Sequence, residues 1–356
     1  MIDPTTNTIG IGVIGLGFMG CTHVRAYQAA AAAGLPCRLV AVADRSAERL
    51  SGAVATVGNL GSSNPEPLFD RSRVRGYVLP RDLLTDPNVH AVSICTYTDT
   101  HVDLGVAALR AGKHVLVEKP VALTSAEVAR LAAAAKETGK LCMPAMVMRF
   151  WPEWAWLARA VRENTYGKVL SASFQRLGTR PDWTDFYRDT ARTGGALWDL
   201  HIHDADFIRW CFGEPAHVAS SGTIDHLTTL YTYPGGPPHV AAQGATNCSP
   251  GFGFRMRYIV VFENATADFD LARPAPLPPL LLHREGRSDT IGPEAVGSLT
   301  GYQAEVRAFI EAISSGSGET NLAATIDDAV KTARLLEAEF ASLSVGSALG
   351  QPRPSA

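Results

Sequence analysis

No apolar run in the 356 residues approaches the roughly 18 to 20 needed to cross a bilayer. There is no basic excess either. Lys plus Arg number 32 against 35 for Asp plus Glu, a net charge of −3. No global positive field exists to hold a nucleic-acid backbone, so neither nucleic acid nor membrane is expected as a partner. The six cysteines, Cys21, Cys37, Cys95, Cys142, Cys211 and Cys248, form no CxxC pair. They read as reduced core residues, with no disulfide framework and no metal site expected. The opening MIDPTTNTIGIGVIG carries an acid where a secretory signal carries basic charge, and a cytoplasmic location is expected. At 46% hydrophobic and 19% charged residues the composition is globular, and the length suits about two domains.

The first half alternates short apolar strands with helical stretches. Ile9 to Ile14, Leu39 to Asp44, Ala91 to Cys95, His114 to Lys119 and Leu141 to Met146 read as buried strands. Helices are expected over Phe18 to Ala33, from Ser46, over Asp103 to Ala111 and over Ser125 to Thr138. Gly58 to Tyr77 reads as a surface loop. This alternation predicts a doubly wound parallel sheet, an α/β domain over 8–147. Beyond it, after a helix from Pro152 to Asn164, strands lengthen and alternate. Val169 to Leu177, His217 to Gly222, Leu227 to Tyr233, His239 to Thr246, Arg255 to Glu263 and Thr266 to Asp270 predict a mainly antiparallel open sheet. A helix from Gly195 to Phe212 lies among them. Helices from Tyr302 to Ser314 and Ala323 to Leu343 complete an α+β domain over 148–343 and can pack back on the first domain. A fraying tail is expected over 344–356.

The strongest local signal is GLGFMG, with Gly15, Gly17 and Gly20 between a strand and a helix. The first glycine permits a tight turn, the second lets backbone approach a pyrophosphate, and the third allows close packing. The free N–H groups of the helix start, at Phe18 and Met19, favour phosphate. Asp44 ends the second strand where a carboxylate takes ribose hydroxyls, which favours NAD over NADP. Arg45 follows, and could stack on adenine or pair with a 2′-phosphate, so NADP stays open.

Three further features bear on chemistry. EKP (Glu118, Lys119, Pro120) ends the fifth strand, at the sheet edge where ligands bind. A lysine there can polarise a hydroxyl or carbonyl oxygen. In GGALWDLHIHDADFIRW, Asp199 and His203 are four residues apart on one helical face. A carboxylate one turn from an imidazole orients it as a general base. TYTDTH follows the fourth strand, which places Thr96, Tyr97 and His101 beside the nicotinamide half of a dinucleotide.

Taken in order, these motifs resemble the Gfo/Idh/MocA oxidoreductases, and the resemblance covers nearly the whole chain. It implies a Rossmann domain followed by an open antiparallel sheet. It matches Lys119, Asp199 and His203 to the family's catalytic lysine, aspartate and histidine, and places Glu118 at the nicotinamide ribose. It also implies a cis peptide before Pro120. The sequence departs from many members in two places: Tyr97 stands where proline is common, and His201 stands where a small residue is common.

The resemblance implies hydride transfer between a secondary alcohol of a sugar, sugar derivative or cyclitol and NAD or NADP. Two other classes share the motifs: a glycoside hydrolase using NAD transiently, and a non-catalytic dinucleotide sensor. Arg149, Arg176 and Trp183 are the further candidate substrate contacts, because aromatic faces and arginines suit hydroxyl-rich or anionic ligands. Trp151, Trp154 and Trp156 are assigned to packing. A homodimer or homotetramer is expected.

Overall fold

The computed structural model describes residues 8–52, 67–182, 184–320 and 322–349. Its contacts divide the chain into two units, residues 1–151 with 299–331 and residues 152–298 with 332–356.

In the first half, strands β1 (Ile9–Ile14), β2 (Cys37–Ala43), β3 (Arg75–Tyr77), β4 (Ala91–Ile94), β5 (His114–Val117) and β6 (Cys142–Pro144) alternate with helices α1 (Phe18–Ala32), α2 (Ala47–Leu50), α3 (Pro80–Leu84), α4 (Thr98–Arg110) and α5 (Ser125–Thr138). The strands form one parallel sheet in the order β3-β2-β1-β4-β5-β6. The order reverses beside β1, which opens a crevice at the carboxyl ends of β1 and β4. Strands β1 and β4 are buried along their whole length, which is why they read as unbroken apolar runs.

The expected loop from Gly58 to Tyr77 lies mostly outside the described residues. Its described end corrects the sequence reading, because Arg75–Tyr77 pairs in parallel with Ala41–Ala43 and extends the sheet. Three residues, Arg75, Gly76 and part-exposed Tyr77, are too few to carry a periodic signal. Helix α4 also starts five residues earlier than expected, at Thr98, so His101 belongs to a helix.

Helix α6 (Pro152–Arg162) opens the second half, followed by β7 (Val169–Leu177), α7 (Thr190–Thr193), a π-helical turn (Leu197–His201) and α8 (Ile202–Phe212). Strands β8 (His217–Thr223), β9 (His226–Thr232), β10 (Val240–Ala245), β11 (Arg255–Phe262), β12 (Thr266–Asp270), β13 (Leu280–Arg284) and β14 (Arg287–Thr290) and helix α9 (Pro293–Val296) follow. With β7 they form an eight-stranded sheet in the order β14-β13-β12-β11-β7-β10-β9-β8. Every pairing is antiparallel except β7 with β10. The hairpin β13–β14 was not expected, because it follows a proline-rich stretch and its second strand, RSDT, has no apolar alternation.

Trp154 is fully buried at the centre of this unit. Its ring meets Phe207 and Tyr258 edge-on, with centroids 4.8 and 5.3 Å away. Such contacts add to the stabilisation from apolar burial.

Helices α10 (Gly301–Ser315) and α11 (Ile326–Leu349) close the described chain. Thr300 and Gln303 form a reciprocal capping box that starts α10. Val306, Phe309, Ile310 and Ile313 of α10 join the core of the first unit, with Val24 and Tyr27 of α1. Helix α11 runs to Leu349, past the point where fraying was expected, because no proline interrupts it before Pro352.

Candidate active site

In the first unit the site begins at the glycine turn. Gly15 adopts φ +88°, a conformation that side chains strain. A Cβ on Gly20 would sit 1.8 Å from the Gly15 carbonyl oxygen, so α1 can approach the turn only without one. Gly17, in contrast, faces open space, with nothing within 4 Å of a Cβ position. It caps α1 without a side-chain bond, and the first turn holds no acid. Open space, bare N–H donors and the positive end of a helix dipole are what a pyrophosphate needs, so these residues fit a dinucleotide. Phe18 and Met19 are part-exposed on that first turn.

Asp44 is fixed from two sides. Its Oδ2 accepts from Leu16 N at 2.7 Å and its Oδ1 from Ser46 N at 2.8 Å. Arg45 is exposed. Arg49, which sequence reasoning missed, reaches to within 3.5 Å of Asp44 Oδ2.

Between Val115 and Ala122 every residue is buried except Lys119, which is part-exposed. The Lys119–Pro120 peptide is cis, as the resemblance implied. Glu118 is buried and its carboxylate is engaged. Oε1 lies 3.0 Å from His23 Nε2, and Oε2 accepts from Lys119 N at 3.1 Å. Burial alone would raise the Glu118 carboxyl, but the His23 hydrogen bond and the electrostatic pull of His23 and Lys119 hold it below its usual range. His23 continues to Ser93 Oγ at 3.1 Å, which meets Tyr27 OH at 2.8 Å. This buried chain went unread in the sequence because its members sit on three separate parts of the chain, α1, β4 and the end of β5.

His101 departs from expectation. It is 1% exposed, with Nδ1 2.9 Å from the Pro120 carbonyl oxygen and Nε2 3.1 Å from that of Thr96. Burial pushes its pKa down. The ring sits between the two loops with a backbone carbonyl oxygen in reach of each nitrogen, so neither nitrogen is turned toward a cofactor. Thr96 is part-exposed and Tyr97 exposed at the start of α4.

In the second unit, residues 193–209 are all buried except two, Asp199 and His203. The polar pair is therefore what this helical stretch presents to its surroundings.

Arg176 corrects the sequence reading. It is 3% exposed and bonds Asp204 bidentately, Nε to Oδ2 at 3.0 Å and Nη2 to Oδ1 at 3.1 Å. Its guanidinium lies 5.3 Å from the Trp154 ring centroid. Arg149, in the first unit, is 2% exposed. It donates to the Ala323 carbonyl and to Asp328 Oδ2, at 2.6 and 2.8 Å. Both guanidiniums are buried and ion-paired within the fold, Arg176 to buried Asp204 and Arg149 to part-exposed Asp328, which does not favour them as substrate contacts. Trp183 lies outside the described residues. Among the described residues, no group of three or more His, Cys, Asp or Glu side chains could hold a metal ion.

Residues 9–146 match the model of an oxidoreductase family with an NAD-binding Rossmann fold, and residues 154–266 match the GFO/IDH/MocA C-terminal domain. The chain belongs to the GFO/IDH/MocA oxidoreductase family. Residues 9–146 are accordingly an NAD-binding Rossmann domain of that family.

Family relatives include myo-inositol 2-dehydrogenase of Thermotoga maritima, 31% identical over 60% of this chain. Only 58% of that enzyme's length is spanned. Inositol 2-dehydrogenase 2 of Saccharopolyspora erythraea is 28% identical over 96% of this chain and 94% of its own. A levoglucosan dehydrogenase solved with NADH and levoglucosan has the same fold, with TM-score 0.78 and 22% identity over 95% of this chain and 98% of that one.

Proposed function

We propose that the protein is an NAD-dependent dehydrogenase that oxidises a secondary alcohol of a sugar, sugar derivative or cyclitol. The observation that carries this reading is selective exposure. Lys119, Asp199 and His203 are the part-exposed polar side chains in two otherwise buried stretches. A dinucleotide sensor has no need of that trio. The named activities of the inositol and levoglucosan relatives support the substrate class.

Bound nicotinamide supplies the hydride acceptor. His203 removes the hydroxyl proton of the substrate. Asp199, one turn away, orients the imidazole and stabilises its protonated form. The Lys119 ammonium offsets negative charge that develops on the substrate oxygen. In the reductive direction the same groups act in reverse order. For the cofactor, the Asp44 carboxylate favours NAD by repelling a 2′-phosphate, while Arg45 and Arg49 keep NADP open.

We further place the protein in the cytoplasm as a homodimer or homotetramer. All six cysteines are free, which suits a reducing compartment. Across the eight-stranded sheet, the paired row Leu230, Ala241, Ser173 and Ile259 mixes apolar and small side chains that are exposed or part-exposed. Such a face suits a second copy.

The test is absorbance of reduced nicotinamide during incubation with NAD, then NADP, across sugars, sugar acids and cyclitols. Reduction by one compound class supports the dehydrogenase. Cleavage of a glycoside without net reduced cofactor would move the assignment to a hydrolase. Binding without either would move it to a sensor.

A further inference from the structure

The face of the π-helical turn opposite Asp199 holds a buried polar cluster that the proposed chemistry does not use. His201 and Glu339 are both 0% exposed. His201 Nε2 lies 2.9 Å from Glu339 Oε2 and 3.1 Å from Tyr231 OH. Glu339 Oε2 also accepts from Thr229 Oγ1 at 3.0 Å, and Oε1 from Tyr231 OH at 2.9 Å. Ser220 Oγ completes the chain, 2.8 Å from Thr229 Oγ1. Strand β10 leaves room for the imidazole through Gly244, where a Cβ would stand 2.8 Å from His201 Cβ. The other ring nitrogen, Nδ1, is buried without a partner.

This arrangement is costly as plain packing. Two apolar side chains would fill the volume without desolvating a carboxylate, an imidazole and an orphan nitrogen. What the cluster does fix is position. It ties the last residue of the π turn to β9 and α11. A π turn is wider and rarer than an α turn and persists where surrounding contacts hold it. Asp199 lies inside that turn and His203 just beyond it, in α8. In a regular α-helix residues four apart stand about 40° past a full turn. The widened turn changes that offset, so the facing of Asp199 and His203 depends on the π geometry being kept.

We propose that the His201–Glu339 pair is a positioning element that locks the π turn so that Asp199 and His203 share one exposed face. This rests on the catalytic reading of those two residues given above. The Glu339 carboxylate pulls the His201 pKa upward against burial, Asp204 adds to this, and Arg176 opposes it. Both Asp204 and Arg176 are themselves paired.

The test compares Glu339→Gln and Tyr231→Phe with the wild-type chain, with Asp199→Asn and His203→Asn alongside. Thermal midpoint and NADH affinity report folding. The readouts of position are the kcat against KM split, the pH profile of kcat, and the His203 ring titration by NMR in cofactor-free protein. In Glu339→Gln we expect unchanged NADH affinity, a loss in kcat of about tenfold with a smaller change in KM, and a displaced His203 titration midpoint. Tyr231→Phe removes one donor to the carboxylate, should move every readout the same way by less, and serves if the glutamine variant does not fold. A folded variant with a wild-type kcat, pH profile and His203 titration would overturn the proposal and leave the pair a packing feature. Wild-type kcat in Asp199→Asn and His203→Asn would instead overturn the catalytic reading, and the positioning role with it.

Discussion

Leu16 N donates to Asp44 Oδ2 at 2.7 Å, which ties the end of β2 to the glycine turn that follows β1. The carboxylate proposed to take the ribose hydroxyls thus also holds the shape of the glycine turn. Replacing Asp44 by Ala removes both functions. NADH should bind about tenfold more weakly or worse, with NADPH losing less, because a repelling charge disappears while Arg45 and Arg49 stay. Fluorescence titration of both cofactors reads this. Unchanged NADH affinity would remove Asp44 from the cofactor site.

Arg176 and Asp204 form a bidentate pair with almost no exposure. Truncating one partner leaves a buried charge uncompensated, which costs about 3–5 kcal/mol. Asp204→Ala should therefore lower the denaturation midpoint sharply. Asp204→Leu combined with Arg176→Met should recover much of the loss, because no lone charge remains. A double variant as unstable as the single would show that the pair contributes more than mutual neutralisation.

Glu305 on α10 is buried, and neither carboxylate oxygen has a hydrogen-bond partner. Burial, with the Glu118 charge nearby, raises its pKa well above the usual 4.5. The folded state therefore holds a proton that the unfolded state releases above about pH 4.5. Stability from this group is full below that pH and declines as pH rises toward the folded pKa, at about 1.4 kcal/mol per unit. Glu305→Gln cannot ionise. Its stability relative to wild type should climb from pH 5 toward pH 8, as read by urea denaturation across that range. A constant difference would mean that Glu305 ionises normally in the fold.

Much of the architecture was legible because burial leaves a trace in composition. Strands β1 and β4 are apolar runs because both of their faces are covered, and β12 was placed to the residue. Strand β3 and the β13–β14 hairpin were not legible, because their backbone pairing depends on neighbours rather than on side-chain pattern. For the candidate site, the glycine turn after β1 and the place of Asp44 at the end of β2 could be read from spacing, while their roles are proposals. The position of Lys119, a part-exposed cation just past a buried strand, could also be read.

The two arginines were misread for a physical reason. A sequence shows that Arg176 precedes the Asp199 helix, but not that Asp204 on that helix turns inward to meet it. His101 was misread likewise, since its partners, the Pro120 and Thr96 carbonyls, are backbone atoms that no side-chain pattern reveals. His201 was noted as a departure from the family pattern. Its partner Glu339 lies 138 residues away, and nothing in the chain marks the two as a pair.

In the proposed reaction Lys119 acts on the reacting oxygen while the glycine turn holds the cofactor independently. The most direct measurement is steady-state turnover of Lys119→Ala with the alcohol that reduces NAD, set against its NADH dissociation constant. We expect kcat to fall by about a hundredfold or more while NADH affinity stays near wild type. Wild-type turnover in Lys119→Ala, or turnover lost only in proportion to lost cofactor affinity, would contradict it.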